Sequence, residues 1–266
     1  MKRYLFLPLV ALVLLGIGCS GTDVSERSGT PTTNSGMLIG ESDVAVKTED
    51  VVYTTSGIKG FFAMPETEGT YPGVIMIHEW WGLNDNIKAM AKELAKDGYM
   101  VLAVDLYNGR VATTSSEAQK LRSSLKQEDA LSNMRQAVQH LRAKGATKMA
   151  SLGWCFGGGQ SLQLALSEEP LDATVIYYGN LVTSTQALAK IKAPILGIFG
   201  DKDMSIPVQH VHDFDKALDT VGVENRIHIY PGVGHAFANP SGQNYAPEAT
   251  KDAWTKTTAF LREHLQ

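Results

Sequence analysis

Five apolar runs constrain this chain more than any other feature. They are GVIMIH (73–78), YMVLAVDLY (99–107), KMASLGW (148–154), ATVIYYG (173–179) and PILGIFG (194–200). A strand covered on both faces reads as such a run, whereas a strand with one wet face alternates. The stretches between them have helical spacing. Residues 84–97 carry Ile87, Met90, Ala91 and Leu94 and stop at Gly98, where a helix ends readily. Residues 115–143 form one helical stretch with Ala118, Leu121, Leu125, Leu131, Met134, Val138 and Leu141 on its apolar side. Helices are also predicted over 156–168, 207–221 and 246–265, with a sixth strand at RIHIY (226–230). At the front, VVYTT and IKGFFAM flank Ser56-Gly57, a hairpin signal. Strands alternating with helices predict a mainly parallel sheet with helices on both faces.

The N-terminus is of another kind. Lys2-Arg3 precede an apolar run from Tyr4 to Ile17, which ends at Gly18-Cys19-Ser20. A short cationic region, an apolar core and a small-residue site describe a signal peptide. The LLGIGCSG ending resembles a bacterial lipoprotein signal. Residues 1–18 are therefore expected to be removed and Cys19 to be lipidated. Residues 19–43, rich in Ser, Thr and Gly, read as a flexible tether. Residues 44–266 form the folded domain. The expected location is outside the cytoplasm, anchored to a membrane and facing the periplasm or exterior. With 28 acidic and 24 basic residues, nothing suggests nucleic-acid binding.

In an open α/β sheet, ligands bind beyond the carboxyl ends of the strands. The residues at those ends are Glu79-Trp80-Trp81, Asn108-Gly109-Arg110, Cys155, Asp201 with Asp203, and His235. Cysteine, aspartate and histidine in this order supply a nucleophile, an orienting acid and a base. Gly153-Trp154-Cys155-Phe156-Gly157 has the G-x-nucleophile-x-G form of the α/β-hydrolase fold, where the nucleophile stands on a sharp strand-to-helix turn. By itself a cysteine among glycines is better explained by close packing; the other strand ends turn the reading toward chemistry. The oxyanion donors in such a site are the backbone N–H groups of Phe156 and Trp80. Trp81, Tyr107 and Phe237 are candidates for lining an apolar pocket. His210 and His212 lie two apart on a helix and do not share a face, so no metal site is expected. His78 should point to the opposite side of its strand from Glu79.

The motifs VIMIHEWWGLN, VDLY, GWCFGG, GDKDMSIP and PGVGHAF together resemble the dienelactone hydrolase family, a cysteine-using branch of the α/β-hydrolases. The likeness runs from about residue 45 to 265. It implies Cys155 as nucleophile, His235 as base, Asp203 rather than Asp201 as acid, and Glu79 as an additional carboxylate that exchanges a proton with the thiol. It implies hydrolysis of a small ester or lactone without a cofactor. The family binds a substrate carboxylate with arginines. Arg110 is the candidate for one of them, and Asn239 stands where the other belongs. A monomer is expected. The second reading is a non-catalytic or redox-related small-molecule-binding protein on the same fold.

Overall fold

The computed structural model describes residues 44–266. The predicted signal peptide, tether and Cys19 lie outside the described residues. Among the described residues, eight strands form one sheet: β1 (Val46–Val52), β2 (Lys59–Pro65), β3 (Gly73–Ile77), β4 (Met100–Val104), β5 (Met149–Trp154), β6 (Ala173–Tyr177), β7 (Ile195–Gly200) and β8 (Asn225–Tyr230). Their order is β1-β2-β4-β3-β5-β6-β7-β8. β2 pairs antiparallel with β1 and β4, and the strands from β4 to β8 are parallel. The helices are α1 (Asp85–Lys96), α2 (Ser115–Ser124), α3 (Gln127–Ala143), α4 (Phe156–Leu166), α5 (Thr185–Leu188), α6 (Val208–Val221) and α7 (Pro247–Leu265).

Strand periodicity divides the core in two. Val74 and Met76 of β3 face one layer, where they meet Ile87, Ala91 and Leu94 of α1 and Trp254, Phe260 and Leu261 of α7. Ile75 and Ile77 face the other, with Met134 and Val138 of α3, Leu162 of α4 and Phe214 of α6. Successive strand side chains point to opposite faces, so a strand buried on both must be apolar throughout. β3 to β7 are buried at every position. This is the predicted α/β-hydrolase architecture.

Two local expectations are corrected, and one short helix is added. The first strand of the hairpin spans Val46–Val52 rather than 51–55, and Thr54 lies in the turn, where its hydroxyl accepts from the Ile58 N–H at 2.8 Å. The stretch 115–143 is two helices. α2 starts with a reciprocal capping pair between Thr114 and Glu117, and the chain leaves helical geometry at Leu125, with ψ 124. A short helix, α5, lies between β6 and β7.

Candidate active site

Four strands deliver the candidate residues to one edge of the sheet. Glu79 follows β3, Cys155 follows β5, Asp203 follows β7 and His235 follows β8. β3 and β5 are neighbours, yet the chain leaves β3 for β4 on one side and β5 for β6 on the other. A crevice opens at such a reversal, and Glu79 and Cys155 stand at its two lips.

Cys155 has φ 54 and ψ −117 and is the N-cap of α4. A non-glycine residue in such a conformation stores roughly 1–3 kcal/mol. Its N–H donates to the Tyr177 carbonyl at 3.0 Å, which ties the turn to β6. The flanking glycines make the turn possible. A Cβ on Gly153 would lie 2.2 Å from the Gly157 carbonyl oxygen, and one on Gly157 would lie 2.3 Å from that of Ile77. The turn sets the thiol at the start of α4.

His235 Nε2 is 3.1 Å from Cys155 Sγ, and its Nδ1 is 2.8 Å from Asp203 Oδ2. The other oxygen of Asp203 accepts from the N–H groups of Ser205 and Ile206, at 2.7 and 3.0 Å. Those two bonds fix the carboxylate, which must receive the Nδ1 proton and so leaves Nε2 toward the sulfur. Burial works against the imidazolium, but the bonds to Asp203 and Cys155 outweigh it and raise the His235 pKa to about 10. Asn244 Nδ2 donates to the His235 carbonyl at 2.9 Å and secures the loop. Asp201 does not reach the histidine. It accepts from the Gly232 N–H at 2.6 Å and so braces the turn after β8.

Glu79 is 6% exposed. Burial raises its pKa to about 7, against the opposing pull of His235 and of a hydrogen bond from Asn239. Behind it a cavity of about 30 Å³ lies between α1 and α7, lined by Met90, Trp154, Tyr178 and Trp254 among others. The backbone N–H groups of Trp80 and Phe156 have no acceptor among the described residues.

The predicted pocket residues fare less uniformly. Trp81 is half-buried, lies edge-on to Trp80 and lines a surface cleft with Asn84, Asn239 and Ser241. Tyr107 is buried, with its ring stacked 5.8 Å from that of Phe156, so it supports the site from below. Phe237 is a correction: it is fully buried between Tyr178 and Tyr230 and belongs to the core. Arg110 is another. Its Nε donates back to the Tyr107 carbonyl at 3.2 Å, and the side chain is exposed. Arg122 of α2 was not singled out from the sequence. It lines a groove of about 260 Å³ beside Phe156, with Gln163 and Asn180. Burial raises the Tyr107 phenol, and the Arg122 charge pulls the other way.

Comparisons with known proteins identify the family and the fold. A protein of Saccharolobus solfataricus, named as a candidate carboxymethylenebutenolidase, is 32% identical, over 80% of this chain and 98% of that one. The protein usf of Aquifex pyrophilus is 33% identical, over 81% and 98%. Among solved structures, a dienelactone hydrolase-like promiscuous phosphotriesterase, P91, from metagenomic libraries superposes with a TM-score of 0.74. It is 26% identical, over 84% of this chain and all of that one. The model of the dienelactone hydrolase family matches residues 58–265. The chain therefore belongs to the dienelactone hydrolase family, whose members are carboxylic ester hydrolases.

Proposed function

We propose that this chain hydrolyses a small ester or lactone through a covalent acyl-thioester on Cys155. The observation that carries the reading is the unbroken line of contacts from Cys155 through His235 to Asp203. The sulfur attacks the carbonyl carbon as a thiolate, its proton held on His235 Nε2. The carbonyl π electrons move to oxygen, and the N–H groups of Trp80 and Phe156 receive the oxyanion. Collapse breaks the bond to the leaving oxygen, which takes the proton from His235. Water then attacks the thioester, giving its proton to His235. The second collapse expels the sulfur, and the carboxylic acid departs. Asp203 accepts the Nδ1 hydrogen bond and orients the ring. Glu79, poised near neutrality, is the reserve proton site beside the thiol.

Arg122 favours an acyl or alcohol portion that carries negative charge or a strong acceptor, because a guanidinium binds a carboxylate with paired hydrogen bonds. Export and lipid anchoring at Cys19 complete the proposal. They rest on the order of Lys2-Arg3, the apolar run and Gly18-Cys19.

The test is turnover of p-nitrophenyl acetate by the wild type, Cys155→Ala and His235→Gln. The wild type is expected to be active and both variants to be slower by at least about 1000-fold. Equal rates in all three would remove this reading in favour of a binding protein.

A further inference from the structure

His78 was expected only to face away from Glu79, and it does. Its ring lies on the α3–α4 side of the sheet, 4.8 Å from Tyr107 and 6.0 Å from Phe156 between centroids. It is completely buried, and both of its nitrogens are engaged. Nε2 receives the Leu106 N–H at 3.1 Å. Nδ1 lies 2.6 Å from the Glu79 carbonyl oxygen. A backbone N–H only donates and a carbonyl only accepts, so one tautomer satisfies both contacts: neutral imidazole with its proton on Nδ1. Burial also lowers its pKa, which keeps that form. The Glu79 carbonyl takes a further bond, from the Gly82 N–H at 3.2 Å.

That carbonyl belongs to the peptide unit whose N–H is Trp80. The unit is planar and trans, so the C=O and the N–H point in opposite directions. Two donors on the carbonyl oxygen therefore fix the direction of the Trp80 N–H, away from His78 and out of the turn. The same ring lies 6.0 Å from that of Phe156, whose N–H is the second proposed oxyanion donor. A peptide plane in a turn rotates easily when nothing grips its oxygen. An oxyanion hole gains its effect from donors aimed before the reaction begins.

We propose that His78 is a positioning residue for the oxyanion hole, holding the Glu79–Trp80 peptide so that its N–H meets the developing oxyanion. It touches no substrate and transfers no proton. The inference rests on the ester-hydrolase reading above. It adds to that reading a reason for a buried histidine beside the added carboxylate.

The test compares His78→Leu and His78→Gln with the wild type. Leucine fills a similar volume and offers neither donor nor acceptor, whereas a glutamine amide offers one of each. Two rates are measured on each protein: p-nitrophenyl acetate turnover, and alkylation of Cys155 by iodoacetamide, which forms no oxyanion. For His78→Leu, kcat is expected to fall by about 10- to 100-fold, with KM and alkylation within about twofold of wild type. His78→Gln is expected to recover most of kcat. Unchanged kcat in His78→Leu overturns the positioning role and leaves the hydrolase reading intact. So does a parallel fall in alkylation, which would mark general damage to the turn. No turnover by wild type while Cys155 still alkylates overturns the hydrolase reading, and this role with it.

Discussion

Asn239 Nδ2 donates to Glu79 Oε2 across 2.5 Å. The amide cannot be turned over, because Asn239 Oδ1 accepts from the Ser241 N–H at 2.9 Å. Glu79 is thus buried against a neutral donor. A guanidinium at position 239 would favour its charged form and lower its pKa by roughly 1–3 units. In Asn239→Arg, the infrared band of the protonated Glu79 carboxyl, identified against Glu79→Gln, should disappear at correspondingly lower pH. A band that persists to the same pH in both proteins would show that Asn239 does not set this ionisation.

The same carboxyl makes stability depend on pH. Glu79 is raised from 4.5 to about 7, chiefly by burial. Between those values the folded chain keeps a proton that the unfolded chain has released. The stabilisation is fully present below 4.5 and is lost as pH rises through 7. Glutamine is uncharged throughout. Glu79→Gln should therefore gain on wild type across this window, by on the order of 3 kcal/mol, in urea unfolding at both ends of it. A difference that does not change with pH would contradict the assigned shift.

The glycine before the nucleophile is a steric requirement of the turn. Gly153→Ala puts a Cβ 2.2 Å from a backbone oxygen of α4, where no flexible side chain can yield. Relief means moving the helix start, and with it Cys155. A loss of about 3 kcal/mol or more is expected, read by thermal unfolding. Gly57→Ala, in the hairpin turn with nothing within 4 Å but φ +86, should cost about 1–2 kcal/mol from backbone strain alone. Comparable costs at the two sites would mean that strain rather than crowding governs Gly153.

Much of this was legible in the sequence, for a physical reason. β3 to β7 are covered on both faces, so their apolar runs betray them, and the polar residues just beyond each run had to be at the sheet edge. β1 was misplaced because it is an edge strand with most of its residues exposed; its VKTEDVV carries no apolar pattern. The break between α2 and α3 has no glycine or proline to announce it. Phe237 and Trp81 look alike as aromatic residues, and only packing makes one core and the other part of a cleft. Arg122 was missed because proximity to VDLY in sequence favoured Arg110, whereas the turn of α2 brings the later arginine to Phe156. His78 could be assigned a face but not a task, since its task depends on the direction of a peptide plane.

Asp203→Asn tests whether the acid sets the imidazole tautomer. The asparagine amide can present its own N–H to Nδ1, which moves the ring proton to Nε2 and removes the base that faces sulfur. The kcat for p-nitrophenyl acetate should fall by about 1000- to 10,000-fold, and the raised pKa of His235 should drop in an NMR titration. A variant with near wild-type kcat would sink Asp203 as the orienting acid and return attention to Asp201.

The two arginines make opposite predictions about substrate charge. Arg110 is turned back on its own loop by the bond to the Tyr107 carbonyl. Arg122 lines the groove beside Phe156, and no salt bridge engages it among the described residues. A paired hydrogen bond from guanidinium to carboxylate is lost whole when the side chain is truncated. With a pair of esters matched except for a carboxylate, Arg122→Ala should lower kcat/KM for the anionic ester by about 10-fold or more. The neutral ester should be nearly unaffected. Arg110→Ala should change neither. If Arg110→Ala alone weakened the anionic substrate, the loop after β4 would have to reopen on binding, and the groove along α4 would not be where the acid group sits.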